Sequence, residues 1–442
     1  MLYLFISFLE FLVFSAAHRD TLDKMLTALL EISSKFPIGV ATIYKTPNLV
    51  FLPIMNYLNK LLIIFLNVTL FISCTSNIPN NTFDSNKVIS IDKPKVTYEV
   101  KKLPKSINIF LLDTKGIKEK AFINGFSTNY YYFREQINYS PDINFITREE
   151  LGKKNCSLNV KNNDYSIIFL TDAFLKNLKS SCLTKILKLK AVLINSNNYP
   201  YINKKTQVVL NFNKKTEYED LLKYAKTNGS RNALIIDGLD TSDKHILNEI
   251  WLELEGNVLD SSTSNGMSNQ NLLSNILLLE SSKERVRKLS RALSSPLESN
   301  PRRRMDVDSI IMSVSLREAR SLKPELEYNF GENLSVYLLP NWKDQSFYLD
   351  KELDLERVSI IDLPWMFNSE ISYLRNLPKK RNRYFAFGYD SYDIALLLNN
   401  PSSTRQFKYT GMSGELSYKN GILSRKSLKT EISEGLFKVI GY

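Results

Sequence analysis

Histidine is almost absent from this sequence: its 442 residues include only His18 and His245, alongside three cysteines and three tryptophans. That scarcity excludes most chemistry that needs an imidazole. A Ser-His-Asp device has only His245 to use in the body of the chain, and His245 lies in a charged helical stretch beside Asp243 and Lys244. Also missing are a glycine-rich phosphate loop, a Gly-x-Ser-x-Gly elbow and the His/Cys spacing of a metal site. The Ser-x-x-Lys spacing of a transpeptidase occurs as Ser90-Ile91-Asp92-Lys93, in a polar segment where no pocket is expected. The expectation is a protein without catalytic residues, metal or cofactor of its own.

Apolar runs long enough for a bilayer span, about 20 residues, are lacking as well. What stands in their place is shorter and better defined. Met55 to Lys60 carries one positive charge, Leu61 to Ile72 is a compact apolar stretch, and Ser73-Cys74 follows. A short basic start, an apolar core of this length and a small residue before a cysteine fit a lipoprotein signal peptide, in which the Cys74 thiol takes the lipid before cleavage. Phe71 stands where such signals usually carry leucine, and Thr75 resembles the pattern of lipoproteins sorted to the outer membrane. Residues 1–54 are expected to be a start-site extension, 55–73 the signal peptide, and 74–105 the lipid anchor and a flexible tether rich in Asn, Ser, Lys and Pro.

The charge is net +12, spread along the chain. The dense run Arg302-Arg303-Arg304 is short, flanked by Ser and Pro, and lacks the interleaved aromatics of a nucleic-acid binder, so no nucleic-acid partner is expected. A basic surface favours anionic partners in the cell envelope.

From residue 106 onward, short apolar β-branched runs alternate with helical stretches. Ile107–Leu112, Ile143–Ile146, Tyr165–Leu170, Ala191–Ile194 and Gln207–Phe212 form one series; Ala233–Ile236, Asn257–Leu259, Val307–Met312 and Leu334–Leu339 form another. This predicts an α/β protein with two Rossmann-like lobes, each built on a parallel sheet. Lobe 1 is assigned 106–212 and 343–410, and lobe 2 is assigned 213–342 and 411–442. Residues 261–304, Ser- and Asn-rich around a charged helical middle at Leu277–Leu293, read as an insertion in lobe 2. Cys156 and Cys182 flank the third run and are expected to pair if the chain lies in an oxidising compartment.

Five motifs in the last third carry a resemblance. They are Asp306–Met312, Arg317–Pro324, Ile361-Asp362-Leu363-Pro364-Trp365, Arg383–Tyr392 and Tyr409–Leu416. In this order after a lipobox, they resemble the penicillin-binding protein activator lipoproteins, the LppC/LpoA-type family. The resemblance implies a type I periplasmic-binding-like fold with three crossovers between the lobes. It also implies a non-catalytic lipoprotein, membrane-bound through its lipid on the periplasmic face of the outer membrane, that activates a class A penicillin-binding protein and so regulates peptidoglycan synthesis. Enterobacterial-type members carry a helical-repeat domain where this sequence has only the tether. Locally, Gly388-Tyr389-Asp390 is expected to open a helix, Gly411 and Gly414 to flank a tight turn, and Pro364-Trp365 to end a strand. Arg302, Arg303 and Arg304 are the candidate partner contact. The competing expectation is a binding-type lipoprotein that captures a small solute for an importer or sensor.

Overall fold

The computed structural model describes residues 89–442 except 154–163, 171–173, 175, 177–179, 187, 195–205, 239–242, 265–267, 340–350, 368, 371–373, 375–376, 379 and 401–405. Residues 1–54, the signal peptide, Cys74 and Cys156 therefore lie outside the described residues.

The chain enters as a strap. Strand β1 (Ile89–Ser90) leads to buried Ile91, and a 3-10 turn at Val100–Lys102 precedes buried Leu103. The first lobe follows, with β2 (Ser106–Phe110), α1 (Ile117–Ile137), β3 (Asp142–Ile146), α2 (Arg148–Lys153), β4 (Tyr165–Phe169), α3 (Ser180–Ile186), β5 (Ala191–Ile194) and β6 (Gln207–Leu210). Its sheet is wholly parallel in the order β3-β2-β4-β5-β6. Because helices cover both faces, these strands read as continuous apolar runs rather than alternating ones.

The second lobe contains α4 (Lys214–Thr227), β7 (Asn232–Asp237), α5 (Lys244–Glu253), β8 (Asn257–Thr263), α6 (Asn269–Ile276), α7 (Leu279–Ala292), β9 (Ser309–Ser313), α8 (Leu316–Leu326), β10 (Ser335–Leu338) and β11 (Val358–Asp362). Next come β12 (Ser369–Glu370), which pairs with β1, and α9 (Arg383–Asn399). The chain ends in β13 (Gln406–Gly411), β14 (Gly414–Lys419), β15 (Ile422–Lys426), β16 (Leu428–Ser433) and β17 (Leu436–Gly441). The second sheet runs β17-β16-β11-β10-β9-β7-β8, parallel except for β16, which is antiparallel to both β11 and β17, while β13-β14-β15 make a small antiparallel sheet.

Each sheet is covered on both sides. In lobe 1, Phe122 and Phe126 of α1 join the core on one face, and Leu151, Cys182 and Ile186 of α2 and α3 join it on the other. In lobe 2, α6 and α8 contribute Leu272, Leu273, Leu322 and Leu326 to one face, and α4 and α5 contribute Tyr218, Leu221, Ile250 and Trp251 to the other. Each such side chain contributes roughly 1.5–3 kcal/mol, more than a typical exposed ion pair. Apolar packing therefore holds each lobe, and directional polar groups set how the lobes join.

Four sequence expectations need correction. β11 lies in the second sheet, with Val336 of β10 in register with Val358 and the Glu352 amide donating to the Gly435 carbonyl, so the described residues 351–362 are not part of lobe 1, to which 343–410 were assigned. The crossovers fall instead at 211–213, 363–382 and about 427, since α9 packs on α1 and β15 runs beside β6. The supposed insertion is smaller than 261–304, because β8 reaches Thr263 and α6 is buried in the core; only α7 and residues 293–304 project. The tether ends before Ile89, since Ile91 and Lys93 are held in the body. Finally, Gly388 sits in the middle of α9, where helix contact requires it, and Asn382 caps that helix by accepting from the Tyr384 amide.

Candidate functional site: a polar hinge and a basic projection

The motif residues that look unrelated along the chain meet where the lobes join. Asp362, fully buried at the end of β11, accepts from Arg383 Nε at 2.8 Å and Nη2 at 2.6 Å, and from the Leu363 amide at 2.7 Å. This two-pronged ion pair ties the second crossover to the start of α9. Arg425 of β15 clasps the other two. Its Nε donates to the Asn211 carbonyl at 2.9 Å, its Nη1 to the Ser413 carbonyl at 2.9 Å and Ser427 Oγ at 2.7 Å, and its Nη2 to buried Glu217 of α4. The Arg383 guanidinium lies 4.6 Å from the Phe212 ring centre and that of Arg425 lies 5.6 Å from it, so one aromatic ring serves both cations.

Behind this clasp, α9 crosses α1 with backbone against backbone. A Cβ on Gly388 would overlap the Phe122 carbonyl, and one on Gly125 would overlap the Phe385 carbonyl. Two residues further on, Asp390 accepts from the Met412 amide at 3.0 Å, the Ser413 amide at 2.6 Å and Ser413 Oγ at 2.5 Å. It thereby fixes the turn between β13 and β14, where Gly414 has φ +141°. Burial pushes the Asp390 carboxyl up to about 7, against the pull of those three donors.

The strap is riveted to the same helix pair. Lys93 Nζ donates to Asp393 at 3.0 and 3.1 Å and to Asn129 of α1, and it lies 4.2 Å from the Tyr389 ring centre and 4.6 Å from that of Phe133. Burial lowers the Lys93 ammonium to about 8, although Asp393 opposes the shift. The lysine of the Ser-x-x-Lys spacing is thus already held by a carboxylate. Beside the strap, a cavity of about 470 Å³ is lined by Asp92, Lys95, Phe407, Tyr409 and Glu415, among others.

One polar pair was not singled out from the sequence. Arg381 is buried, and its guanidinium lies 3.7 Å from the centre of the buried Trp365 ring. Arg381 Nε and Nη1 and Trp365 Nε1 are three buried N–H donors that meet no acceptor among the described residues. Burial lowers the guanidinium to about 10. Such a donor-only arrangement suits an anionic oxygen. Pro364-Trp365 was expected to end a strand, which it does, but nothing in the sequence brings Arg381 onto that ring.

The other candidates are placed as follows. His245 is exposed, whereas Asp243 is buried and accepts from Tyr218 Oη at 2.7 Å and Ser313 Oγ at 3.0 Å while pairing with Lys214. Cys182 is buried in lobe 1 and disulfide-bonded, with its partner outside the described residues. Arg302 is exposed. Arg303 turns inward, its Nη1 donating to the Arg304 carbonyl at 2.9 Å, and Arg304 forks onto Asp306 at 2.8 and 2.7 Å. The three arginines thus differ in freedom, and only Arg302 is mostly in solvent. Among the described residues, no cluster of three His, Cys, Asp or Glu side chains is arranged for a metal, and no helix is long and apolar enough to cross a membrane.

Two α/β lobes, parallel sheets covered on both faces and three crossovers at a polar hinge define the type I periplasmic-binding-like class. A "putative branched-chain amino acid ABC transporter" from Rhodospirillum rubrum has the same architecture, with a TM-score of 0.54 at 10% identity over 76% of this chain and 99% of that one. Residues 193–428 match the family described as LppC putative lipoprotein, and the chain belongs to it. Curated relatives named "Penicillin-binding protein activator LpoA" are 25% identical: one from Photobacterium profundum over 41% of this chain and 31% of its own length, and one from Aliivibrio fischeri over 34% and 26%. The matched regions span about a third or less of those relatives.

Proposed function

We propose that this chain is an outer-membrane lipoprotein, anchored through Cys74, that binds a class A penicillin-binding protein and raises its output of peptidoglycan. The observation that carries this reading is the family match across 193–428, a span that contains the hinge-forming motifs. The name of the curated relatives supports the same role. The mechanism is differential binding: contact made only with the active conformation of the synthase shifts its population toward that state. A pairing of Cys156 with Cys182 belongs to this reading, since it requires an oxidising compartment.

The test is to add the purified full chain to a cognate class A synthase and measure transpeptidase and glycosyltransferase rates without any added small molecule. A rise in either rate is expected. No binding and no change in rate defeat the reading. Cys74→Ser should abolish lipid labelling and release the protein from the membrane fraction.

The donor-only pair Arg381–Trp365 favours a second reading, capture of a small carboxylate. Calorimetric titration with acetate and with L-leucine, using wild type and Arg381→Met, separates the two. Heat seen only with wild type, without any effect on a synthase, supports capture.

A further inference from the structure

The three arginines at the joint are not treated alike. Arg383 meets Asp362 and Arg425 meets Glu217, so each of these cations has an acid of the chain beside it. Arg381 is the most buried of the three, at 6% exposure, and its Nε and Nη1 meet no acceptor among the described residues. No carboxylate opposes the effect of burial on its charge, whereas Asp393 opposes it at Lys93. A buried cation without an acid is costly, and folded proteins as a rule pair such groups. The Trp365 ring, 3.7 Å away, attracts the charge but accepts from neither nitrogen.

This pair sits across the second crossover. Trp365 follows the end of β11 in lobe 2 by three residues, and Arg381 precedes the start of α9 by two. α9 packs on α1 of lobe 1. The Trp365 ring stacks on Phe385 of α9 with centres 4.7 Å apart, and its amide donates to the Met412 carbonyl at 3.1 Å. An anion held by both Arg381 and Trp365 therefore spans the two ends of the crossover, as the Arg383–Asp362 bridge already does.

The charge of the site selects the anion. The indole donor is neutral, and Arg383 and Arg425 are engaged by their own acids, which leaves one positive charge. A monoanion neutralises it, whereas a dianion would leave a second charge buried against Trp365 and Phe385. A carboxylate has the right charge, and its two oxygens suit one guanidinium donor and the indole donor.

The geometry points to a carboxylate-binding site on Arg381 and Trp365 whose filling ties the second crossover and stiffens the joint between the lobes. This rests on the part of the capture reading that places a carboxylate on this pair, and adds what the bound anion does to the lobes. It holds whether the chain delivers a solute or binds a synthase.

The experiment compares the full chain in sodium acetate and in sodium chloride, at equal ionic strength and pH 7, as wild type, Arg381→Met and Trp365→Phe. Thermal unfolding reads binding, and amide hydrogen exchange over residues 363–367 and 383–390 reads the joint. Acetate should raise the wild-type unfolding temperature above its value in chloride, by about 2 °C per tenfold step in concentration once the site fills. Exchange over both segments should slow several-fold, and Arg381→Met should lose both responses. If Arg381→Met does not fold, Trp365→Phe decides: it keeps a ring and loses the N–H, so a full acetate response there overturns the site. No acetate response in wild type overturns the inference and, if L-leucine gives no heat either, the capture reading with it. A wild-type response with unchanged exchange overturns the effect on the joint and leaves capture standing. A shift that persists in Arg381→Met marks an adventitious additive only and overturns the site. A larger, Arg381-dependent shift in sodium phosphate overturns the carboxylate assignment.

Discussion

The hinge and the projection spend their charged groups in opposite ways. At the hinge, Asp362, Glu217, Asp390 and Asp393 are all nearly or fully buried, and each is met by a named donor. On α7 the carboxylates pair with neighbouring lysines one turn away, and the arginines face water. A buried charge that loses its partner is costly, whereas an exposed one costs little to change. The motif residues of the hinge are therefore constrained by folding before any partner is considered, and the projection is where binding can vary without loss of the fold.

The comparison breaks most easily at the helix crossing. Gly388→Ala should destabilise the protein by about 3 kcal/mol or more, because the added methyl meets backbone that cannot rotate away. Urea unfolding would show it as a lower midpoint, and a wild-type midpoint would mean that α1 and α9 are not in backbone contact. Next in size is Lys93→Met, which leaves Asp393 buried without its cation and should cost about 3 kcal/mol. Combining it with Asp393→Leu should recover much of that loss, and a strictly additive double variant would show that the pair does not hold the strap.

A smaller effect depends on pH. The Asp390 carboxyl titrates near 7 in the folded protein, above an unfolded value near 4, so the native state binds more protons between the two. Its contribution to stability is fully present below about pH 4 and is lost as pH rises toward 7. Asp390→Asn should flatten that part of the stability profile, and an unchanged slope would assign the titration to another group. The smallest structural effect is expected on the projection. Neutralising Arg302, Arg303 and Arg304 together should leave the unfolding temperature nearly unchanged and weaken synthase binding, more so at low salt. The Arg304–Asp306 fork implies that Arg302→Gln accounts for most of the binding loss. Equal losses from each single variant would contradict that ranking.

The positions of the strands in each lobe were legible because buried parallel strands are continuous apolar runs, and Ile107–Leu112 or Ala233–Ile236 cannot be mistaken for solvent-facing segments. The hinge was legible only as separate motifs. Asp362 and Arg383 are 21 residues apart, and Glu217 and Arg425 are 208 apart, so no local pattern pairs them. Gly388 suggested a helix start because glycine weakens helix interiors, yet here the close crossing overrides that preference. The strap was hidden by composition: Asp92-Lys93-Pro94-Lys95 reads as solvated chain, and only tertiary contact reveals that Lys93 is buried. Arg381 on Trp365 had no sequence signal at all.

The attachment of the strap has a mechanical consequence. β1 and β12 pair over two residues, whereas three residues on, Lys93 is clamped by Asp393 and Asn129 between α1 and α9. A pull on the chain ahead of Ile89 would first peel this short ladder and then load the lysine clamp. Because those helices cross at Gly125 and Gly388 and Asp390 of α9 fixes the turn that Arg425 also grips, the clamp would pass the load directly to the hinge. The strap then acts as a tendon inserted at a joint, and tension in it would be felt as torque between the lobes before either sheet began to yield.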